Sequence, residues 1–226
     1  MRIAIPRETA PRETRVALIP EAVAKLVHAG HSVSVESQAG ERAGFIDAAY
    51  SQAGATIAPD FFSCVREAQA VLKVREPSLT EVEQIPQGAA LVGLMGRGEN
   101  ATLTERYRAR RLTVFSLHAL PRISRAQSMD ALSSMAAVAG YKAVLLAANT
   151  LGRFFPLLMT AAGTVAPARV FVLGAGVAGL QAIATARRLG AVVEAFDVRP
   201  AVKEEVMSLG ATFVDLSLGE AGVGAG

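Results

Sequence analysis

The sequence predicts an α/β protein with two doubly wound domains whose sheets are mainly parallel. Short apolar runs of strand length alternate with segments of helical pattern through the first half of the chain. A second strand, helix and strand pattern begins at Arg169, and its first turn is rich in glycine. Strands that alternate with helices usually pair in parallel, with helices on both faces of the sheet. We therefore expect one such sheet in each half.

The first predicted domain spans residues 1–129 and has the alternation of a flavodoxin-like or Rossmann-like sheet. Pro20 suits the first turn of a helix, where its missing N–H would be unpaired anyway, and Gly30 follows the end of that helix. The other elements follow from apolar runs of strand length and from helical periodicity. Strands are expected at 2–5, 32–36, 70–74, 89–95 and 113–117, and helices at 20–28, 47–54, 61–68 and 102–111.

A long helix is predicted from Asp130 to about Leu151 and, with the connector that runs to residue 165, is expected to link the two domains. Asp130 precedes this helix, so it suits an N-cap, and Ser133 would be a polar residue of the first turn. Both side chains can also contact a ligand, and one carboxylate can serve both purposes. The two explanations remain open at this stage.

The second predicted domain, residues 166–226, begins with a strand at 169–173 that leads into a G-x-G-x-x-G turn and a helix. Gly174 permits the tight turn, Gly176 leaves the backbone open to a pyrophosphate, and Gly179 lets the helix lie close to the strand. The helix then directs its unpaired N–H groups and positive dipole end at the phosphates. This pattern predicts dinucleotide binding.

Asp197 ends the next predicted strand, eighteen residues after Gly179, where an acidic residue can accept a hydrogen bond from the adenosine ribose. Its charge would repel a 2′-phosphate, which favours NAD over NADP. Arg199 opposes this preference, because a nearby arginine can accommodate that phosphate.

One strand, helix, strand, helix, strand half follows Arg169, with strands at 169–173, 191–196 and 211–216, whereas a complete doubly wound domain has two halves. We expect the second domain to be truncated in this chain, or completed by a partner, with its first strand unpaired at one edge.

Composition excludes several other classes. The single cysteine, Cys64, rules out an intrachain disulfide, and three histidines without ligand spacing predict no metal site. A net charge of +3 from dispersed arginines, with 5% aromatic residues, does not favour nucleic-acid binding. The most apolar stretch, residues 131–149, is interrupted by Ser133, Ser134 and Lys142, so we expect neither a transmembrane helix nor, at the N-terminus, a signal peptide.

The string PRISRAQSMD at 121–130, followed by Ser133, closely resembles the NAD(H)-binding component of proton-translocating nicotinamide nucleotide transhydrogenases. This string is far more specific than a glycine motif. The resemblance continues at 5–8, 15–17, 139–141, 159–165 and 174–199, so it covers essentially the whole chain.

The resemblance implies a soluble, dimeric, cytoplasmic oxidoreductase component that docks with an NADP(H)-binding component and a membrane component that moves protons. The implied activity is reversible hydride transfer between NADH and NADP+. It also implies which residues hold NAD(H). Those of the nicotinamide loop are Arg122, Gln127, Asp130 and Ser133, which the resemblance also implies are the residues that act in hydride transfer, with Arg125 as a further cofactor contact. Those of the turn and the adenosine side are Gly174, Gly176, Val177, Ala178, Gly179, Asp197, Val198 and Arg199.

Hydride transfer between two nicotinamides needs no general acid or base, because no proton moves at the reacting carbons. The protein must instead hold the two rings face to face, about 3 to 3.5 Å apart, in a site that excludes water. Arg122, Gln127 and Asp130 together offer the donors and acceptors needed to fix a carboxamide, a ribose and a diphosphate.

Two alternatives remain. The N-terminal segments also look similar to alanine dehydrogenase, in which residues matching Arg15 and Lys73 hold the substrate. That reaction needs a proton donor, and the histidine that supplies it there is replaced here by Leu94-Met95-Gly96. Salt bridges would explain Arg15 and Lys73 without any substrate. The second alternative is a catalytically silent NAD-binding fragment.

Overall fold

The structure, a computed structural model, describes residues 1–96, 98, 100–121 and 123–215. These residues form two compact units, Met1–Met129 and a second unit that starts at Asp130.

The first unit contains a six-stranded, wholly parallel sheet in the order β3-β2-β1-β4-β5-β6. This order is that of the doubly wound fold, and it reverses direction between β1 and β4, where ligands of such sheets bind. The expected α/β class is confirmed. The strands are β1 (Arg2–Ile5), β2 (Ser32–Glu36), β3 (Thr56–Ala58), β4 (Ala70–Leu72), β5 (Ala90–Gly93) and β6 (Thr113–Ser116), and the helices are α1 (Pro20–His28), α2 (Asp47–Gln52), α3 (Phe61–Val65), α4 (Leu79–Gln84) and α5 (Ala101–Ala109).

The core of this unit lies on both faces of the sheet. Ile5, Val35, Val71 and Leu91 on the central strands are fully buried, as expected for parallel strands covered by helices on both sides. Apolar side chains of the helices cover them, and Tyr50 of α2 is fully buried with its hydroxyl donating to the Leu18 carbonyl at 3.0 Å. Burial of the apolar helix faces therefore holds the helices on the sheet.

The second unit begins with a twenty-residue helix and contains a three-stranded parallel sheet in the order β11-β10-β9. This is half of the doubly wound order, and in the described part of the chain no strand pairs with the other edge of β9. Phe171 and Leu173 of β9 are exposed. The elements are α6 (Ala131–Thr150), an antiparallel hairpin of β7 (Leu158–Thr160) and β8 (Gly163–Val165), β9 (Arg169–Leu173), α7 (Val177–Arg188), β10 (Val192–Phe196), α8 (Lys203–Ser208) and β11 (Thr212–Phe213).

Some expected elements differ from the structure. Strand β3, helix α4 and the β7–β8 hairpin were not expected. Helix α3 ends at Val65 rather than 68, because a turn precedes β4. The strand expected at 211–216 is only Thr212–Phe213, and residue 216 lies outside the described residues. His118 follows the strand expected at 113–117 and lies in a 3₁₀ turn, Leu117–Ala119, where its Nδ1 lies 2.8 Å from the Met95 carbonyl oxygen.

Helix α6 shows that the polar interruptions of this stretch do not by themselves exclude a membrane span. It is long and apolar enough to cross a membrane, with a mean hydropathy of 1.5 over eighteen residues. Ser133, Ser134 and Lys142 do not lower its hydropathy enough to exclude a span. One such helix is weak evidence for a membrane protein, since core helices of other proteins have the same length and composition.

Candidate nucleotide-binding site

The glycine turn between β9 and α7 gives each of its three glycines a different environment. Gly174 has a φ of +91°, which a side chain would strain, and its N–H donates to the Phe196 carbonyl at 2.8 Å. A β-carbon on Gly179 would lie 1.8 Å from the Gly174 carbonyl oxygen, so only glycine lets α7 start this close to the turn. A β-carbon on Gly176 would meet nothing within 4 Å. The absent side chain of Gly176 therefore leaves open space beside the backbone.

The N-terminus of α7 faces this space without a side-chain cap. Gly176 is the N-cap residue and makes no capping hydrogen bond through a side chain, and the first turn has no acidic residue. Val177 and Ala178 occupy the first turn, and Val177 is exposed. Unpaired N–H groups and the positive end of the helix dipole make such a terminus suitable for an anion such as a phosphate.

The Asp197 carboxylate, just after β10, is bonded to the same turn. Its Oδ2 accepts from the backbone N–H of Ala175 at 2.7 Å, and its Oδ1 accepts from that of Arg199 at 2.8 Å. The Arg199 guanidinium donates through Nε to Oδ1 and through Nη2 to Oδ2, each at 3.0 Å. These two side-chain bonds, with the backbone N–H groups, hold the pKa of Asp197 well below its usual range, although burial acts in the opposite direction. Asp197 is therefore a fixed anion beside the turn.

Asp130 caps helix α6, as one of the two explanations expected. Its Oδ1 accepts from the Ser133 backbone N–H at 2.9 Å and its Oδ2 from the Ser133 hydroxyl at 2.6 Å. The cap fixes the orientation of both side chains. Contact of either side chain with a ligand stays a prediction.

Helix α6 packs directly against the start of α7. A β-carbon on Gly140 would lie 2.1 Å from the carbonyl oxygen of Ala178, so the two backbones touch at this point. At a rise of about 1.5 Å per residue, Asp130 and Ser133 lie about 10–15 Å along α6 from this contact. The second unit thus joins the helix that carries two predicted nicotinamide contacts to the helix that starts at the glycine turn. In the sequence, the only sign of this close contact between α6 and α7 is a glycine, Gly140, in the middle of a predicted helix.

The other predicted nicotinamide residues belong to the first unit or are not described. Arg125 and Gln127 lie in a 3₁₀ segment, Ser124–Met129, with exposed side chains. Arg122 lies outside the described residues.

Val198 is exposed next to Asp197. Among the described residues, no group of three His, Cys, Asp or Glu side chains could hold a metal ion.

A buried ionic cluster stands where the strand order of the first sheet reverses. Lys73, after β4, is 3% exposed, and its Nζ lies 3.1 Å from Glu81 Oε1 and 3.8 Å from Glu8 Oε2. Arg15 binds Glu13 through two bonds of 2.7 Å, which together lower the pKa of Glu13. Both basic residues considered for an alanine dehydrogenase substrate are thus paired with carboxylates of this chain.

Comparison with known proteins gives consistent matches over both units. The Cereibacter sphaeroides NAD(P) transhydrogenase subunit alpha is 48% identical over 225 residues, which are 100% of this chain and 43% of that protein. A crystal structure of transhydrogenase from Sinorhizobium meliloti matches with a TM-score of 0.92 and 48% identity, over 95% of this chain and 64% of that one. An L-alanine dehydrogenase structure matches with a TM-score of 0.82 and 32% identity, over 94% and 60%.

These matches confirm the resemblance first suggested by the PRISRAQSMD string. The chain spans 43% and 64% of the lengths of the two transhydrogenase relatives above. The alanine dehydrogenase/PNT N-terminal domain matches residues 4–139, and the C-terminal domain of the same family matches residues 143–221. The chain belongs to the alanine dehydrogenase/PNT family.

Proposed function

We propose that this chain is the NAD(H)-binding component of an NAD(P)+ transhydrogenase. It would take part in hydride transfer between NADH and NADP+ bound on a partner component, coupled to proton translocation by a membrane component. The observation that carries the proposal is the glycine turn whose Ala175 N–H is bonded to the Asp197 carboxylate. In that arrangement a carboxylate, which would accept from a ribose hydroxyl, lies beside an open, uncapped helix N-terminus.

The residues present fit a dinucleotide. The space beside Gly176 admits a pyrophosphate, which the N–H groups of Val177 and Ala178 would hold. Asp197 and its neighbour Val198 would hold the adenosine, Arg199 lies at the same end of the site, and the charge of Asp197 favours NAD over NADP.

The nicotinamide end would be fixed by Gln127, Asp130 and Ser133, together with Arg122 and Arg125. When bound, NADH supplies the hydride, and the chain supplies placement and exclusion of water rather than proton transfer. The cap between Asp130 and Ser133 supports this role, because it holds both side chains in one orientation before a ligand arrives.

The proposed partners are an NADP(H)-binding component and a proton-channel component, with a second copy of this chain forming a homodimer. The name "subunit alpha", which the Cereibacter sphaeroides and Haemophilus influenzae relatives share, supports membership of a multi-subunit complex. We propose a cytoplasmic location, with attachment to the membrane through those partners.

An alanine dehydrogenase-like activity is the alternative, and relatives such as the Halomonas elongata alanine dehydrogenase, at 35% identity, support it. The paired state of Lys73 and Arg15 weighs against it, because a keto acid would have to break those ion pairs. The segment Leu94-Met95-Gly96 also offers no proton donor after β5.

One assay separates these functions. The chain is mixed with a purified NADP(H)-binding transhydrogenase component, NADH and an NADP analogue, and reduction of the analogue is followed. Reduction supports the proposal. Oxidation of NADH by pyruvate and ammonia, without the component, would instead support the alternative. NADH binding without either reaction would indicate a catalytically silent fragment.

A further inference from the structure

The Asp197 carboxylate has no remaining capacity for a ribose hydroxyl. A carboxylate has about four lone-pair positions, and four hydrogen bonds reach Asp197 within 3.0 Å. Two come from the backbone N–H groups of Ala175 and Arg199, and two come from the Arg199 side chain. A hydroxyl that is to donate to Asp197 must therefore displace one of these donors.

The Arg199 side chain is the donor that can leave. The two backbone donors belong to the turn and to the segment after β10, whose positions are set by the sheet and by the Gly174 to Phe196 bond. The Arg199 side chain is 59% exposed, whereas the Asp197 side chain is 6% exposed. An exposed guanidinium regains hydration when it leaves its partner, so this ion pair is only weakly held.

We propose that Arg199 occupies the ribose position on Asp197 in the nucleotide-free chain and that the adenosine ribose displaces it, so that Arg199 opposes nucleotide binding and sets its affinity. The inference rests on the proposed function, because it concerns the adenosine end of the same site. Until displacement, the guanidinium keeps the carboxylate oriented toward Ala175. Afterwards, the ribose hydroxyls take over the two lone-pair positions that Nε and Nη2 leave.

If Arg199 competes with the ribose, removing its side chain should increase the affinity for NADH. Arg199→Gln removes a competitor without touching the two backbone bonds to Asp197, so NADH should bind about two- to fivefold more tightly. Arg199→Lys keeps the charge but loses the two-pronged geometry and should lie between wild type and Arg199→Gln. The difference between variants should shrink in about 0.5 M salt, because an exposed ion pair is screened.

The test is a fluorescence titration of NADH into the full chain carrying each substitution. Arg169→Gln is the matched control, since it removes the same charge from an exposed pair with Glu194 at the other end of β9, about 15 Å along the strand. It reports the long-range effect of losing one positive charge. Weaker or unchanged binding by Arg199→Gln, relative to this control, would overturn the proposal and make Arg199 a direct adenosine contact or a bystander.

A second measurement observes the displacement itself. The Nε–H resonance of Arg199, assigned by its loss in Arg199→Lys, should shift when ADP-ribose or NADH is added to the wild-type chain. Binding with an unmoved resonance overturns the displacement and leaves the proposed function intact. Absence of NADH binding in wild type and variants alike overturns both.

Discussion

Gly140 of α6 touches the backbone of α7 at Ala178, where a β-carbon would stand 2.1 Å from the carbonyl oxygen. Because the obstacle is backbone, no side-chain rotation can relieve it. Gly140→Ala should therefore lower the free energy of unfolding of the second unit by about 1–3 kcal/mol, despite the gain in helix propensity. Chemical denaturation measures this. Gly152→Ala, which meets nothing within 4 Å, is the control and should be nearly neutral.

Gly176 and Gly179 should separate binding from folding. Gly176→Ala places a methyl group in open space, so the melting temperature should hardly change, while NADH affinity should fall at least about tenfold because the pyrophosphate loses its approach. Gly179→Ala collides with the Gly174 carbonyl and should destabilise the fold. Thermal melts and NADH titrations of both variants check this. A Gly176→Ala protein that binds NADH normally would contradict the assigned phosphate position.

Asp197 should contribute to stability at neutral pH and lose that contribution in acid. Its pKa is lower in the folded chain than its ordinary value of about 3.9, so the contribution is present above that pH and is lost progressively as the pH falls below it. Asp197→Asn should therefore have a lower free energy of unfolding than wild type at pH 7. The difference between the two free energies should become steadily smaller in acid. Denaturant titrations at several pH values measure the difference. Asp215→Asn, in an exposed pair with Lys203, should change stability little.

Lys73 should be needed for stable folding of the first unit, and its contribution to stability should be larger at high pH. Lys73→Met leaves Glu8 and Glu81 buried without their cation, at an expected cost of about 3–5 kcal/mol. Burial raises the pKa of Glu8, so protonation of Glu8 favours the folded state. That contribution to the free energy of unfolding is lost as the pH rises above about 4.3, the ordinary pKa of a glutamate.

Removing the Lys73 ammonium raises the pKa of Glu8 further. The loss in Lys73→Met should therefore be larger at pH 8 than at pH 5, which unfolding curves at the two pH values can measure. Lys25→Met, which breaks an exposed pair with Glu21, is the control and should cost less than about 1 kcal/mol at either pH. An equal loss in Lys73→Met at both pH values would contradict the role given to Glu8.

Gln127 should act on hydride transfer more than on binding. Its side chain is exposed in the free chain, so Gln127→Ala should leave folding unchanged. If Gln127 orients the nicotinamide, single-turnover transfer to the partner component should slow about ten- to hundredfold, with a smaller change in the Kd for NADH. Equal loss of rate and affinity would contradict a positioning role. Gln52→Ala, at an exposed position in α2, should change neither.

Local signals in the sequence were sufficient for most of the fold. The helix expected from Asp130 to about Leu151 is Ala131–Thr150, and the helix expected at 20–28 has those same bounds. An N-cap carboxylate begins the first and a first-turn proline begins the second, and both signals depend only on residues near each other in the sequence. The strand at 169–173 was identifiable because both its faces are apolar and a glycine turn ends it. The α/β class followed from the alternation of such elements.

Features that depend on distant residues were not predictable in the same way. Strand β3 has three residues and too little pattern of its own, and it forms because β2 offers it an edge. The contact of Gly140 with Ala178 depends on where two helices cross. Asp197 and Arg199 were both expected at the adenosine, but only the folded chain shows them bonded to each other and, through Ala175, to the turn.

In the part of the chain that the structure describes, one edge of β9 has no partner strand, and this has a practical consequence for handling the protein. A strand edge without a partner is a template for pairing with another chain, and β9 also carries the exposed side chains of Phe171 and Leu173. Concentrated samples of this chain alone should therefore aggregate through β9, and dilute solutions, or a lysine in place of Phe171, should keep it dispersed.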